Sequence, residues 1–172
     1  MNIKIIAAAL IAVTAAFALF GMFRRESMDA RANGGEKIMT AIKTDKATFA
    51  GGCFWCIEGP FEKIDGVISA VAGYTGGHLD DPSYEDVTSG DTGHLEAVQV
   101  EFDPDKVSYE TLVEVFWRQI DPTDEGGQFA DRGTQYATAI FYHDENQKKT
   151  AEASKERLGK LGVFNRPIAT AI

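Results

Sequence analysis

Cys53 and Cys56 are the only cysteines of this 172-residue chain, and they stand three positions apart. A disulfide framework needs more cysteines at wider spacing, because closing so short a loop does little to restrict the unfolded chain. The fold must therefore be held by buried apolar surface, and the pair is left free for chemistry. A hydrophobic fraction of 44%, with 10% aromatics, is an ordinary supply for a packed core, and the length suits one compact domain. The formal net charge is −9. No run of Lys or Arg falls on one face of an expected element, which argues against nucleic acid as a partner.

Residues 5–23 form an apolar run with Lys4 before it and Arg24 and Arg25 after it. A bilayer span needs about twenty such residues, whereas the core of a signal peptide usually has about 7–15. Ala30 and Ala32 also offer a small-x-small cleavage pattern. Residues 1–32 are thus expected to be a signal peptide or a membrane anchor, with the chain membrane-anchored or exported to the cell envelope (periplasm), and cytoplasmic otherwise. Residues 33–46 are polar, contain Gly34 and Gly35, and read as a linker. Residues 47–172 make the folded domain.

Within that domain the hydrophobic periods outline alternating elements. A strand over residues 46–50 runs into Gly51-Gly52, and Cys53 opens a helix whose Phe54, Ile57, Phe61 and Ile64 share one face. Pro60 predicts a kink or a restart in it. Residues 67–72 read as a buried strand, and residues 73–93, rich in Gly, Asp, Ser and Thr, as a long loop. Residues 95–102 form the next strand. Ser108 caps a helix with Tyr109, Leu112, Val113, Phe116 and Ile120 on one face, and Val107 staples onto Leu112. A second loop, residues 121–134, leads to a strand over residues 135–142. Asp144 caps a last helix, with Gln147 placed to bond back, that ends near Gly162; residues 167–172 give a final strand. The fold class is α+β: a two-layer α/β sandwich with helices against one sheet and long functional loops.

Cys53 follows two glycines at a helix start, where free backbone N–H groups favour an anionic sulfur. Phe54 falls on the apolar face; Trp55 does not, and is expected to line an aromatic pocket that suits a small apolar group. In the strand over residues 95–102 a period of two places Glu96 on one row with Val98, Val100 and Phe102. A carboxyl on the buried row holds its proton more tightly, as a general acid must. Tyr84, Asp131 and Tyr136 lie in or beside the two long loops, where hydroxyls can donate to a substrate oxygen. The residues alone leave other readings open. Free cysteines are often small core hydrophobes, and a Cys-x-x-Cys pair also suits a disulfide oxidoreductase. His78, His94 and His143 are not spaced to complete a zinc site with the pair, and Ile57 stands where haem attachment needs histidine.

Gly51-Gly52-Cys53-Phe54-Trp55-Cys56, then Ser89-Gly90-Asp91-Thr92-Gly93-His94-Leu95-Glu96, then Asp131-Arg132-Gly133-Thr134-Gln135-Tyr136 resemble the A-type peptide methionine sulfoxide reductases, in family order and across residues 47–172. The resemblance implies a ferredoxin-like α/β core. It implies that Cys53 attacks the sulfoxide sulfur while Glu96, assisted by Tyr84 and Tyr136, protonates the oxygen. It further implies that Phe54 and Trp55 hold the substrate methyl and that Asp131 supports binding or orientation. The S epimer, free or in oxidised proteins, is the implied substrate; thioredoxin or another dithiol is the implied reductant, with no metal and no organic cofactor, in a monomer. Resolution of the Cys53 sulfenic acid falls to Cys56, because many relatives use cysteines near the carboxyl terminus that this sequence lacks. Three departures stand out: Thr88 replaces a cysteine of many relatives, Gln128-Phe129-Ala130 replaces a glycine and asparagine run, and Ile172 precedes a Tyr- and His-bearing segment of the family, so the carboxyl terminus is expected to be truncated. A membrane-tethered module that binds oxidised methionine without reducing it is the remaining rival.

Overall fold

The structure, a computed structural model, describes residues 43–172. The expected signal or anchor over residues 1–32, and all but the last few residues of the expected linker, lie outside the described residues. Among the described residues no helix is long and apolar enough to cross a membrane.

Four strands form one antiparallel sheet: β1 (Asp45–Gly51), β2 (Val67–Thr75), β3 (Leu95–Phe102) and β6 (Thr138–Phe141), in the order β2-β3-β1-β6. Helix α1 (Phe54–Glu62) connects β1 to β2, and β3 fills the gap between them. Helix α3 (Tyr109–Trp117) likewise carries the chain from β3 across β1 to β6. This is the ferredoxin-like order, so the α+β expectation holds. Helix α4 (Glu145–Lys160) packs beside α3, tied by Trp117 Nε1 donating to Ser154 Oγ at 2.9 Å.

The alternation along β1 and β3 explains the core. Phe49, Val98, Val100 and Phe102 point to the helical layer, where they meet Phe54, Ile57 and Phe61 of α1 and Leu112, Val113 and Phe116 of α3. Phe49 sits at the centre, stacked on Phe61 at 5.0 Å and Phe116 at 5.1 Å between ring centres. Burying such a ring contributes about 1.5–3 kcal/mol. Gly51 ends β1 directly beneath this layer, where an added Cβ would stand 3.1 Å from Ile57, Phe116 and Ile120.

Several boundaries differ from the sequence reading. Residues 67–72 are not a buried strand: β2 is an edge strand covered on one face only, continues to Thr75, and leaves Val71 59% exposed. Its outward Ala72 N–H is taken by Glu58 of α1 at 3.2 Å, which blunts the open edge. The loop over residues 73–93 therefore starts later. It also holds a short helix, α2 (Tyr84–Thr88), with a capping box between Ser83 and Asp86. Residues 121–134 contain a small hairpin, β4 (Gly127–Gln128) with β5 (Asp131–Arg132). A 3-10 turn at Thr134–Tyr136 delays the start of β6 to Thr138. Instead of restarting, α1 runs through Pro60 and ends two residues later, where only a last-turn bond is forgone. Gln147 bonds back to the His143 N–H rather than to the cap residue itself. Residues 167–172 make one isolated bridge, Ala139 to Ala171, rather than a strand.

Candidate active site

The left-handed Gly52 (φ +82°) turns the chain out of β1, and Cys53 becomes the cap residue of α1 with no side-chain cap bond of its own. The sulfur is thereby not spent on capping the helix. Cys56 lies one turn on, its N–H donating to Cys53 O at 3.0 Å. Cys53 is half-buried and Cys56 exposed. Burial, a hydrogen bond with Cys53 and the neighbouring charges of Cys53, Asp131 and Glu96 push the Cys56 thiol up. The thiolate form of Cys56 is thereby disfavoured.

Glu96 is 2% exposed, at the start of β3 on the helical face. Its Oε2 accepts the N–H of Phe54, the first residue of α1, at 3.1 Å. Burial pushes this carboxyl above the ordinary carboxylate value, the Phe54 N–H opposes that shift, and the Asp131 charge adds to it. A buried carboxyl that holds its proton more tightly than an ordinary carboxylate thus stands at the helix end that presents Cys53.

The two tyrosines singled out from the sequence come from different loops. Tyr84 opens α2 and is 52% exposed; Tyr136 ends the turn at Thr134–Tyr136. The loops are tied together by Gln135 Nε2 donating to Thr88 O at 3.3 Å and Thr134 Oγ1 to Gly90 O at 3.4 Å. Burial, then Glu96, Tyr84, Asp131 and Cys53, push the Tyr136 hydroxyl up, so it stays a donor. Asp131 is half-buried in β5, and its charge reaches Glu96, Cys56 and Tyr136. The structure thus gathers Cys53, Cys56, Glu96, Tyr84, Tyr136 and Asp131 into one region.

The aromatic pair divides its tasks. Phe54 is buried and packs between Trp55, at 5.4 Å, and Tyr74, at 5.7 Å. Trp55 is 70% exposed, so it forms an open wall at the surface. Tyr74 was not among the residues expected from sequence. It pairs across the strands with Glu96, and burial with the Glu96, Tyr84 and Glu85 charges pushes its hydroxyl up. Its signal was available: extending the period of two beyond Ala72 puts Ala70, Ala72 and Tyr74 on one face.

The family model described as peptide methionine sulfoxide reductase matches residues 45–172. The chain belongs to that family. It is 58% identical over 132 residues to the peptide methionine sulfoxide reductase MsrA of Bacillus licheniformis, covering 77% of this chain and 73% of the relative. Among solved structures it resembles Mxr1 from Saccharomyces cerevisiae in reduced form, with a TM-score of 0.68 and 35% identity over 77% of this chain and 76% of the other. Mxr1 in complex with Trx2 matches with a TM-score of 0.52 and 27% identity, covering 77% and 76%. Membership of this family carries the activity, reduction of methionine sulfoxide by an oxidoreductase.

Proposed function

We propose that Cys53 is the nucleophile and Glu96 the acid of this reduction. The Cys53 sulfur attacks the sulfoxide sulfur while the Glu96 proton goes to the sulfoxide oxygen, with the Tyr84 and Tyr136 hydroxyls donating to the same oxygen. The S=O oxygen ends on Cys53 as a sulfenic acid, and the thioether, methionine, leaves. Sulfur of the substrate is reduced by two electrons and Cys53 is oxidised by two. Phe54 and Trp55 hold the methyl group, and Asp131 orients the substrate. The Cys56 thiol then displaces the hydroxyl of the sulfenic acid, releasing water and leaving a Cys53-Cys56 disulfide. A dithiol protein, thioredoxin, returns the pair to thiols by exchange, in keeping with the Mxr1 complex with Trx2.

The observation that carries this reading is the buried Glu96, hydrogen-bonded to the N–H that follows Cys53 and pushed by burial above the ordinary carboxylate value. A module that only bound oxidised methionine would have no use for such an acid. The test is incubation with methionine sulfoxide and excess dithiothreitol, reading methionine formed. Wild type is expected to turn over and Cys53→Ser to form none; methionine production by the serine variant would remove Cys53 from the chemistry. Separated sulfoxide epimers check the preference for S.

The apolar run over residues 5–23 supports delivery to a membrane or the cell envelope. Mass spectrometry of the mature amino terminus tests it: cleavage after Ala32 identifies a signal, and an intact terminus in the membrane fraction identifies an anchor.

A further inference from the structure

Phe129 joins two features that the reaction above does not use. Its backbone is left-handed, with φ +52°, a conformation uncommon for a bulky side chain. Its ring is 73% exposed. A turn whose only task was to reverse the chain would take glycine or asparagine here without strain, and an exposed phenyl contributes little to the core. Strain of this kind persists where the surroundings enforce it, and it gathers at working sites.

The surroundings do enforce it. Phe129 is the first residue of the two-residue turn between β4 and β5. The preceding Gln128 is buried, its amide bonded to Asp121 N, Asp121 O and Gly127 O at 2.8, 3.0 and 2.7 Å. Gln128 also lies against Gly52, where an added Cβ would stand 2.5 Å from Gln128 Cβ. Two residues further on, Asp131 lies close enough for its charge to push up both Glu96 and Cys56. The ring therefore projects from a base fixed at both ends to the active-site segments. Another exposed aromatic of this region, Trp55, comes from the helix that begins one residue after Cys53.

We propose that Phe129 is a specificity-determining residue that contacts the polypeptide flanking an oxidised methionine, so that peptide-bound substrate is favoured over the free amino acid. The inference rests on the reductase reading above. Phe54 and Trp55 suffice for the methyl end. Beyond its thioether, free methionine sulfoxide ends in a carboxylate, which loses hydration against a phenyl ring without gaining a partner, and an ammonium, whose attraction to the ring face at so exposed a site is only about 0.5–1 kcal/mol. A peptide replaces both charges with amides and brings neighbouring side chains, for which an exposed, rigidly mounted aromatic is an effective contact.

The test compares free methionine S-sulfoxide with an acetylated, amidated pentapeptide whose central oxidised methionine is flanked by leucines, with dithiothreitol as reductant and the full chain as enzyme. Phe129→Asn removes the ring and keeps a residue tolerant of the left-handed turn, and Phe129→Tyr keeps the ring. Phe129→Asn is expected to raise KM for the peptide about fivefold with kcat unchanged, while kcat/KM for the free amino acid stays at the wild-type value. Phe129→Tyr should behave as wild type on both. Equal losses on both substrates, or no loss on either, would overturn the proposal. So would a loss seen only when thioredoxin replaces dithiothreitol, since that assigns the ring to the reductant. Failure of the wild type to reduce either substrate would instead sink the reductase reading, a result distinct from an unchanged ratio.

Discussion

Glu96 Oε2 accepts the backbone N–H of Phe54 at 3.1 Å, so the proposed acid and the proposed nucleophile, Cys53, are referenced to the same helix end. Movement of α1 would carry Cys53, Phe54 and the partner of Glu96 together. Replacing the acid while keeping its shape should therefore remove proton donation and little else. Glu96→Gln is expected to lower kcat/KM for a methyl sulfoxide about 100-fold or more, the usual worth of a positioned general acid, while both thiols still titrate with a disulfide reagent. Near-normal turnover would shift the proton donor to a tyrosine.

The same carboxyl gives a pH-dependent contribution to stability with a definite sign. Burial raises its value in the folded chain, so the folded state holds a proton that the unfolded chain has already released. The stability linked to that proton is present below the ordinary carboxylate value and is lost as pH rises through the higher folded value. Glu96→Gln, which cannot ionise, should thus melt above the wild type at pH 8 and close to it at pH 4. The opposite order in thermal melts would show that Glu96 is better stabilised as a carboxylate.

Much of this site was legible because its signals are local. The alternation of β3 alone put Glu96 on the row of Val98, Val100 and Phe102, and the two glycines before Cys53 marked a helix start. Ser108 and Asp144 cap the helices expected of them. What escaped depends on partners far along the chain. Tyr74 carries the period of two of Ala70 and Ala72, but Gly73 reads as a loop signal, and it is pairing with β3 that holds the segment in register through Thr75. The ties of Gln135 and Thr134 to Thr88 and Gly90 bridge more than forty residues, and no period announces them. Helix α2 did carry a local signal, Ser83 with Asp86 three residues on, within a stretch whose composition argues for loop.

Cys56 should matter for turnover and not for the first chemical step. Its thiol is pushed up by burial and by its neighbours, which disfavours the thiolate, so on the proposed mechanism it enters only after the sulfenic acid has formed on Cys53. Cys56→Ser with thioredoxin should release about one equivalent of methionine per chain and stop, with mass spectrometry showing one added oxygen on Cys53. Sustained thioredoxin-driven cycling by this variant would assign resolution elsewhere.

The junction between sheet and nucleophile offers a sharper test of how the site is held. Gly52 has φ +82°, and an alanine Cβ there would stand 2.5 Å from Gln128 Cβ and 2.9 Å from Cγ. Gln128 cannot simply swing away, because its amide is spent on Asp121 and Gly127. Gly52→Ala should therefore destabilise by about 2 kcal/mol or more, part from the left-handed backbone and part from the collision, and should lower kcat by displacing either Cys53 or the hairpin that carries Asp131. Adding Gln128→Gly removes the colliding Cβ but not the backbone strain. If the collision matters, that second change should restore some of the lost melting temperature despite deleting three hydrogen bonds. A double variant less stable than Gly52→Ala would mean that the hydrogen bonds of Gln128, rather than its closeness to Gly52, hold the hairpin against the thiol loop.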